Sequence, residues 1–132
     1  MNTNRLLRIT ERMKEQQIPQ LILSDPVAIF YLTGTWILPG ERLLALYIHE
    51  SGETKLVINE LFPQEGDLGT ELIWYNDVED GVEILSGEIR DDQTIGIDKE
   101  WPAKFLLRLQ ELLPDKTYVN GSLIIDDVRL QK

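Results

Sequence analysis

A layered α/β domain, built as three α/β/α layers around a mixed sheet of about five to six strands, is the fold class this sequence predicts. Three observations carry it. Short apolar runs suited to strands alternate along the chain with segments of helical periodicity. Two of those runs flank a short glycine-containing connection, so part of the sheet must be antiparallel. Finally, 132 residues, with 42% hydrophobic and 27% charged, suit one domain with a real core, residues 1–132.

The elements follow in order. Residues 3–17 place Leu6, Ile9 and Met13 at three- and four-residue spacing, with Arg, Lys and Glu elsewhere, which predicts an amphipathic helix ended by Ile18-Pro19. Residues 20–24 form a buried strand. Asp25-Pro26 opens a short helix through about Leu32, with an acceptor at the cap and proline pre-set for the first turn. Thr33-Gly34 stops it, and Gly34 to Gly40 reads as an unusually apolar loop.

Residues 43–49 and 54–59 then predict a hairpin, and residues 60–70 a loop rich in Gly, Pro and acids. A strand over 71–75, a helix over 78–89, a strand over 93–98, a helix over 101–113, a strand over 117–120 and a closing helix from Ser122 complete the chain.

Composition excludes several kinds of chemistry. There are no cysteines, so a disulfide framework, a thiol nucleophile and a Cys-based zinc site are ruled out, and an intracellular, cytoplasmic home fits. Thirteen basic residues against 23 acidic ones give a net charge of −10, a field that repels nucleic acid and anionic membrane surfaces. No partner of either kind is expected. The N-terminal stretch carries no apolar core of a signal peptide, and no apolar run approaches the ~20 residues of a membrane span.

Candidate sites are few. His49 is the one histidine, and without a Gly-x-Ser-x-Gly elbow it reads as a surface or strand-end residue rather than part of a relay. Phosphate-cradling glycine motifs are missing. Asp25 and Asp98 end two predicted strands, where a hard cation would suit a metal-dependent nuclease, but helix capping already accounts for Asp25. The adjacent pairs Asp91-Asp92 and Asp126-Asp127 read as solvated charge. No catalytic residue and no metal ligand is expected in this chain. The apolar loop stands apart: Trp36, Ile37 and Leu38 either pack on the core or form a partner surface or substrate lid, and Glu41 and Arg42 follow them directly.

Phe30-Tyr-Leu-Thr-Gly34, a loop, and then Glu41-Arg-Leu-Leu-Ala-Leu46 resembles the signature of the creatinase/prolidase N-terminal domain family, which includes Xaa-Pro dipeptidases and aminopeptidases. Trp74-Tyr75-Asn76-Asp77, Ile95-Gly-Ile-Asp98 and the ending from Leu123 to Lys132 agree in order. The resemblance implies a ribonuclease-H-like motif and a following catalytic domain, expected to begin just after Arg129. That domain would hold two divalent metal ions, often Mn²⁺, which activate water against the amide before proline. It also implies a homodimer in which the loop from Thr35 to Arg42 reaches the neighbouring subunit's active site. There Arg42 would pair with a substrate carboxylate, Glu41 would orient it or meet the substrate amine, and Trp36 would cover the proline ring. Family dipeptidases often carry His before Glu-Arg, where this chain has Gly40. An interaction module on the same fold, an aminopeptidase domain and a metal-dependent nuclease are the alternatives.

Overall fold

The computed structural model describes residues 1–64 and 66–130. Gln131 and Lys132, the end of the family-like C-terminal stretch, lie outside the described residues. The described helices are α1 (Thr3–Gln16), α2 (Pro26–Thr33), α3 (Gly81–Glu88), α4 (Ala103–Leu112) and α5 (Ser122–Leu130). The strands are β1 (Gln20–Leu23), β2 (Ala45–His49), β3 (Thr54–Asn59), β4 (Glu71–Tyr75), β5 (Thr94–Ile97) and β6 (Thr117–Asn120). They form one six-stranded sheet in the order β4-β3-β2-β1-β5-β6. Strand β2 runs antiparallel to β1 and β3; the remaining pairs are parallel.

Strand alternation sends successive residues to opposite faces, and each face is covered. Leu21, Leu23, Leu46, Ile48, Leu56 and Ile58 pack with α1, α2 and α5. Ile22, Ala45, Val57, Ile95 and Ile97 pack with α3 and α4. The three expected layers are therefore present. At β1, β5 and β6 the backbone is crowded: a Cβ at Gly121 would lie 2.4 Å from Leu21 Cδ1 and 3.2 Å from the Gly96 backbone. No described helix is long and apolar enough to cross a membrane.

Boundaries differ from expectation where side chains take over backbone duties. The strand expected from Leu43 begins at Ala45, because the Leu43 carbonyl accepts from the Tyr75 hydroxyl at 2.7 Å and the Leu44 carbonyl from Ser24 Oγ at 2.9 Å. The helix expected from Val78 begins at Gly81, since Asp80 caps it by accepting from the N–H groups of Val82 and Glu83. The strand expected through Asp98 stops at Ile97, because the Asp98 carboxylate turns back. It accepts from the N–H of Ser24 at 2.8 Å, of Asp25 at 3.0 Å and of Glu100 at 3.1 Å.

Burial of that carboxylate raises its pKa, against the opposing pull of the three N–H donors. Removing it would leave the donors without an acceptor. Asp98→Ala is expected to lower stability by about 2–4 kcal/mol, read by urea unfolding; a loss near zero would show that solvent satisfies those N–H groups.

Candidate functional site

Because β2 runs against its neighbours, its start lies at the same end of the sheet as the ends of β3 and β4. That placement builds the site. Gly34, at φ 75°, closes α2 with its N–H on the Phe30 carbonyl at 2.8 Å, a left-handed cap that suits glycine. The chain then crosses the end of the sheet from the α2 layer to the α3/α4 layer: Ile37 packs in the first core and Leu43 in the second. Trp36 and Leu38 point the other way and are 51% and 64% exposed. Trp36 stands edge-on to Phe30, with ring centroids 5.7 Å apart and planes at 82°.

Arg42 ends the crossing in a two-pronged bond. Its Nε donates to Asp77 Oδ1 at 2.9 Å and its Nη2 to Asp77 Oδ2 at 2.8 Å. Asn59 Nδ2 also donates to Asp77 Oδ1, at 2.8 Å. Arg42 first, and then Asn59, hold the Asp77 carboxyl down to about 2; the bond to Asp77 raises the Arg42 pKa in turn. Tyr75, pushed up by burial, ties β4 to the Leu43 carbonyl.

Arg42, Glu41, Leu43, Tyr75, Asp77, Val82, Lys104, Phe105 and Arg108 are among the residues lining an open cleft of about 360 Å³. Glu41 and Arg42 thus come together at the cleft, whereas Trp36 is not among its lining residues and packs on α2. The loop divides, with its aromatic tip on one side and its ion pair on the other. Asp77 and Asn59, neither of them assigned a role from sequence, complete the site. The one signal pointing to Asp77 was its place just after the apolar run of β4, in the Trp74-Tyr75-Asn76-Asp77 match.

Asp25 and Asp98 do lie near one another, but both are committed to backbone. Asp98 takes three N–H groups, and Asp25 Oδ1 accepts from Val27 N–H at 3.0 Å. Among the described residues no group of three or more His, Asp or Glu side chains is placed to hold a metal ion. The two ions that the resemblance implies for a following domain find no ligand set among these residues.

His49 is at a strand end, as expected, but it is buried at 7% exposure. Its Nε2 meets Asp92 Oδ1 at 3.0 Å and its Nδ1 meets Ser51 Oγ at 2.9 Å. The Ser51 backbone N–H donates to the same Nδ1 at 3.1 Å, so the ring's lone pair closes the hairpin turn. Asp92 is accordingly a half-buried partner of His49 rather than a freely solvated charge.

The creatinase/prolidase N-terminal domain family matches this chain over residues 5–131. This chain belongs to that family. An uncharacterized peptidase of Staphylococcus saprophyticus is 38% identical over 82 residues, a match covering 60% of this chain and 23% of that protein. Among solved structures, the creatinase/prolidase N-terminal domain of an X-Pro dipeptidase from Streptococcus pyogenes superposes with a TM-score of 0.79 at 21% identity, covering 96% of this chain and 99% of that one. A recombinant prolidase from Thermococcus sibiricus gives 0.86 at 17% identity, covering 97% of this chain but only 36% of that one. At those identities the two structures speak for the fold. The chain spans only about a quarter of the curated relative and about a third of the prolidase it matches.

Because Asp77 ionises more readily folded than unfolded, its stabilising effect is full above the ordinary carboxylate range and fades as pH falls towards about 2. The native chain is therefore expected to lose more stability than Asp77→Asn between about pH 4 and about pH 2, measured by urea unfolding at each pH. Parallel curves would count against the ion pair.

Proposed function

We propose that this chain is the non-catalytic N-terminal domain of an X-Pro dipeptidase-like metallopeptidase, one that serves dimerisation and shapes the substrate pocket. Family membership supports the reading, and so do the similar structures, which come from an X-Pro dipeptidase and a prolidase. The observation that carries it is the loop from Thr35 to Arg42: a fixed base at the Arg42–Asp77 pair and an exposed aromatic tip. Trp and Arg in that setting are characteristic contact residues.

On this reading the catalytic centre, with its two divalent metal ions, lies in the domain that follows, and the cytoplasm is its compartment. In a homodimer the loop enters the neighbouring subunit's active site. Arg42 binds the carboxylate of a proline-ended dipeptide and Glu41 orients it or meets the amine, while Trp36, on the other side of the loop, is left to the contact with the neighbouring subunit.

The complete gene product should cleave Xaa-Pro dipeptides. Arg42→Ala is expected to raise KM about tenfold or more while bound metal stays unchanged, measured by steady-state kinetics alongside metal analysis. Unchanged kinetics would remove Arg42 from the pocket. A stop codon directly after Lys132, or a gene product that binds basic peptides without cleaving Xaa-Pro, would overturn the peptidase reading.

A further inference from the structure

An arginine in a Gly- and Pro-bounded loop has many rotamers open to it, and binding by such a side chain is costly unless something fixes its direction. Here the direction is fixed from the interior outward. Asn59 is 1% exposed. Its Oδ1 accepts from the Leu61 N–H at 2.9 Å, so its amide can only turn Nδ2 towards Asp77, at 2.8 Å. Asp77, held in this way, takes Nε and Nη2 of Arg42.

That grip uses one edge of the guanidinium. The adjoining edge, formed by Nη1 and the second Nη2 proton, has no acceptor among the described residues, and the Arg42 side chain is 40% exposed. Such an edge matches a carboxylate in shape and charge.

The rest of the cleft suits the same ligand. Leu43, Tyr75, Val82 and Phe105 give it an apolar wall. Of its acids, Asp77 is paired with Arg42 and Asp80 with Arg108 at 2.9 Å, Glu79 accepts from the Asn76 N–H at 2.9 Å, and Glu41 has no partner among the described residues. The Lys104 ammonium forms no ion pair among the described residues and adds positive charge.

We propose that Asp77, oriented by Asn59, is a positioning residue that presents the free edge of Arg42 to the carboxylate of the ligand. This rests on the proposed role of Arg42 in the substrate pocket, and it adds two residues and a reason for them.

The test compares an Xaa-Pro dipeptide with its C-terminal amide in the complete gene product. The native enzyme should prefer the acid through KM. Asp77→Asn should raise KM for the acid about fivefold with kcat within about twofold, and leave KM for the amide unchanged. Arg42→Lys, which keeps the charge but not the planar edge, should likewise erase the preference, and Asp77→Glu should restore part of it. A purely structural role would move both substrates together, and that result overturns the proposal. Loss of preference in Arg42→Ala but not in Asp77→Asn overturns the positioning role alone and leaves Arg42 in the pocket. No preference in the native enzyme, or no effect of Arg42→Ala, removes both.

Discussion

Between α2 and β2 the chain crosses the open end of the sheet with no neighbouring strand to hold it, and the Arg42–Asp77 pair is what fixes its far side. An exposed ion pair alone contributes little, because side-chain entropy and salt offset its attraction. This one differs in geometry: both oxygens of Asp77 are engaged, and a buried Asn59 braces one of them. The neighbouring carbonyls of Leu43 and Leu44 are tied by Tyr75 and Ser24. The base of the loop is therefore held by side chains from β3, β4 and the β1–α2 turn, while its tip stays exposed.

A second constraint explains where the site is not. In open α/β sheets, ligands commonly bind beyond the carboxyl ends of adjacent parallel strands whose connections leave on opposite sides. Strands β1 and β5 meet that description, since α2 covers one face and α4 the other. In this chain the crevice is occupied from within: the Asp98 carboxylate fills the N–H groups of Ser24 and Asp25 that an external anion would use. On the role proposed for Arg42, the same end of the sheet would serve a ligand away from that crevice, through the loop before β2.

Local signals made most of the fold legible. Helical periodicity, Asp25-Pro26, Gly34 and the glycine-containing hairpin connection each act within a few residues, and the elements stand where those signals put them. What escaped depends on partners distant in sequence. Asp77 meets Arg42 across 35 residues and Asn59 across 18, distances over which no pattern in one sequence shows pairing. The late starts of β2 and α3 have the same origin, because a tyrosine hydroxyl and an aspartate cap override the apolar run. His49 was legible as a strand-end residue, but its burial against Asp92 was not. Of the site itself, Glu41 and Arg42 were visible through the family resemblance, whereas the separation of Trp36 from the cleft needed three dimensions.

The family fold, shared at low identity with an X-Pro dipeptidase domain and a prolidase, carries in this chain a loop whose base is tied by side chains and whose tip exposes Trp36 and Leu38. A double-mutant cycle on that base tests the arrangement most directly: urea unfolding of the native chain, Arg42→Ala, Asp77→Ala and the combined variant. If the two side chains stabilise the crossing through one another, the combined loss will be clearly smaller than the sum of the single losses. Additive losses would mean that each acts alone, and that the loop is held by something other than this pair.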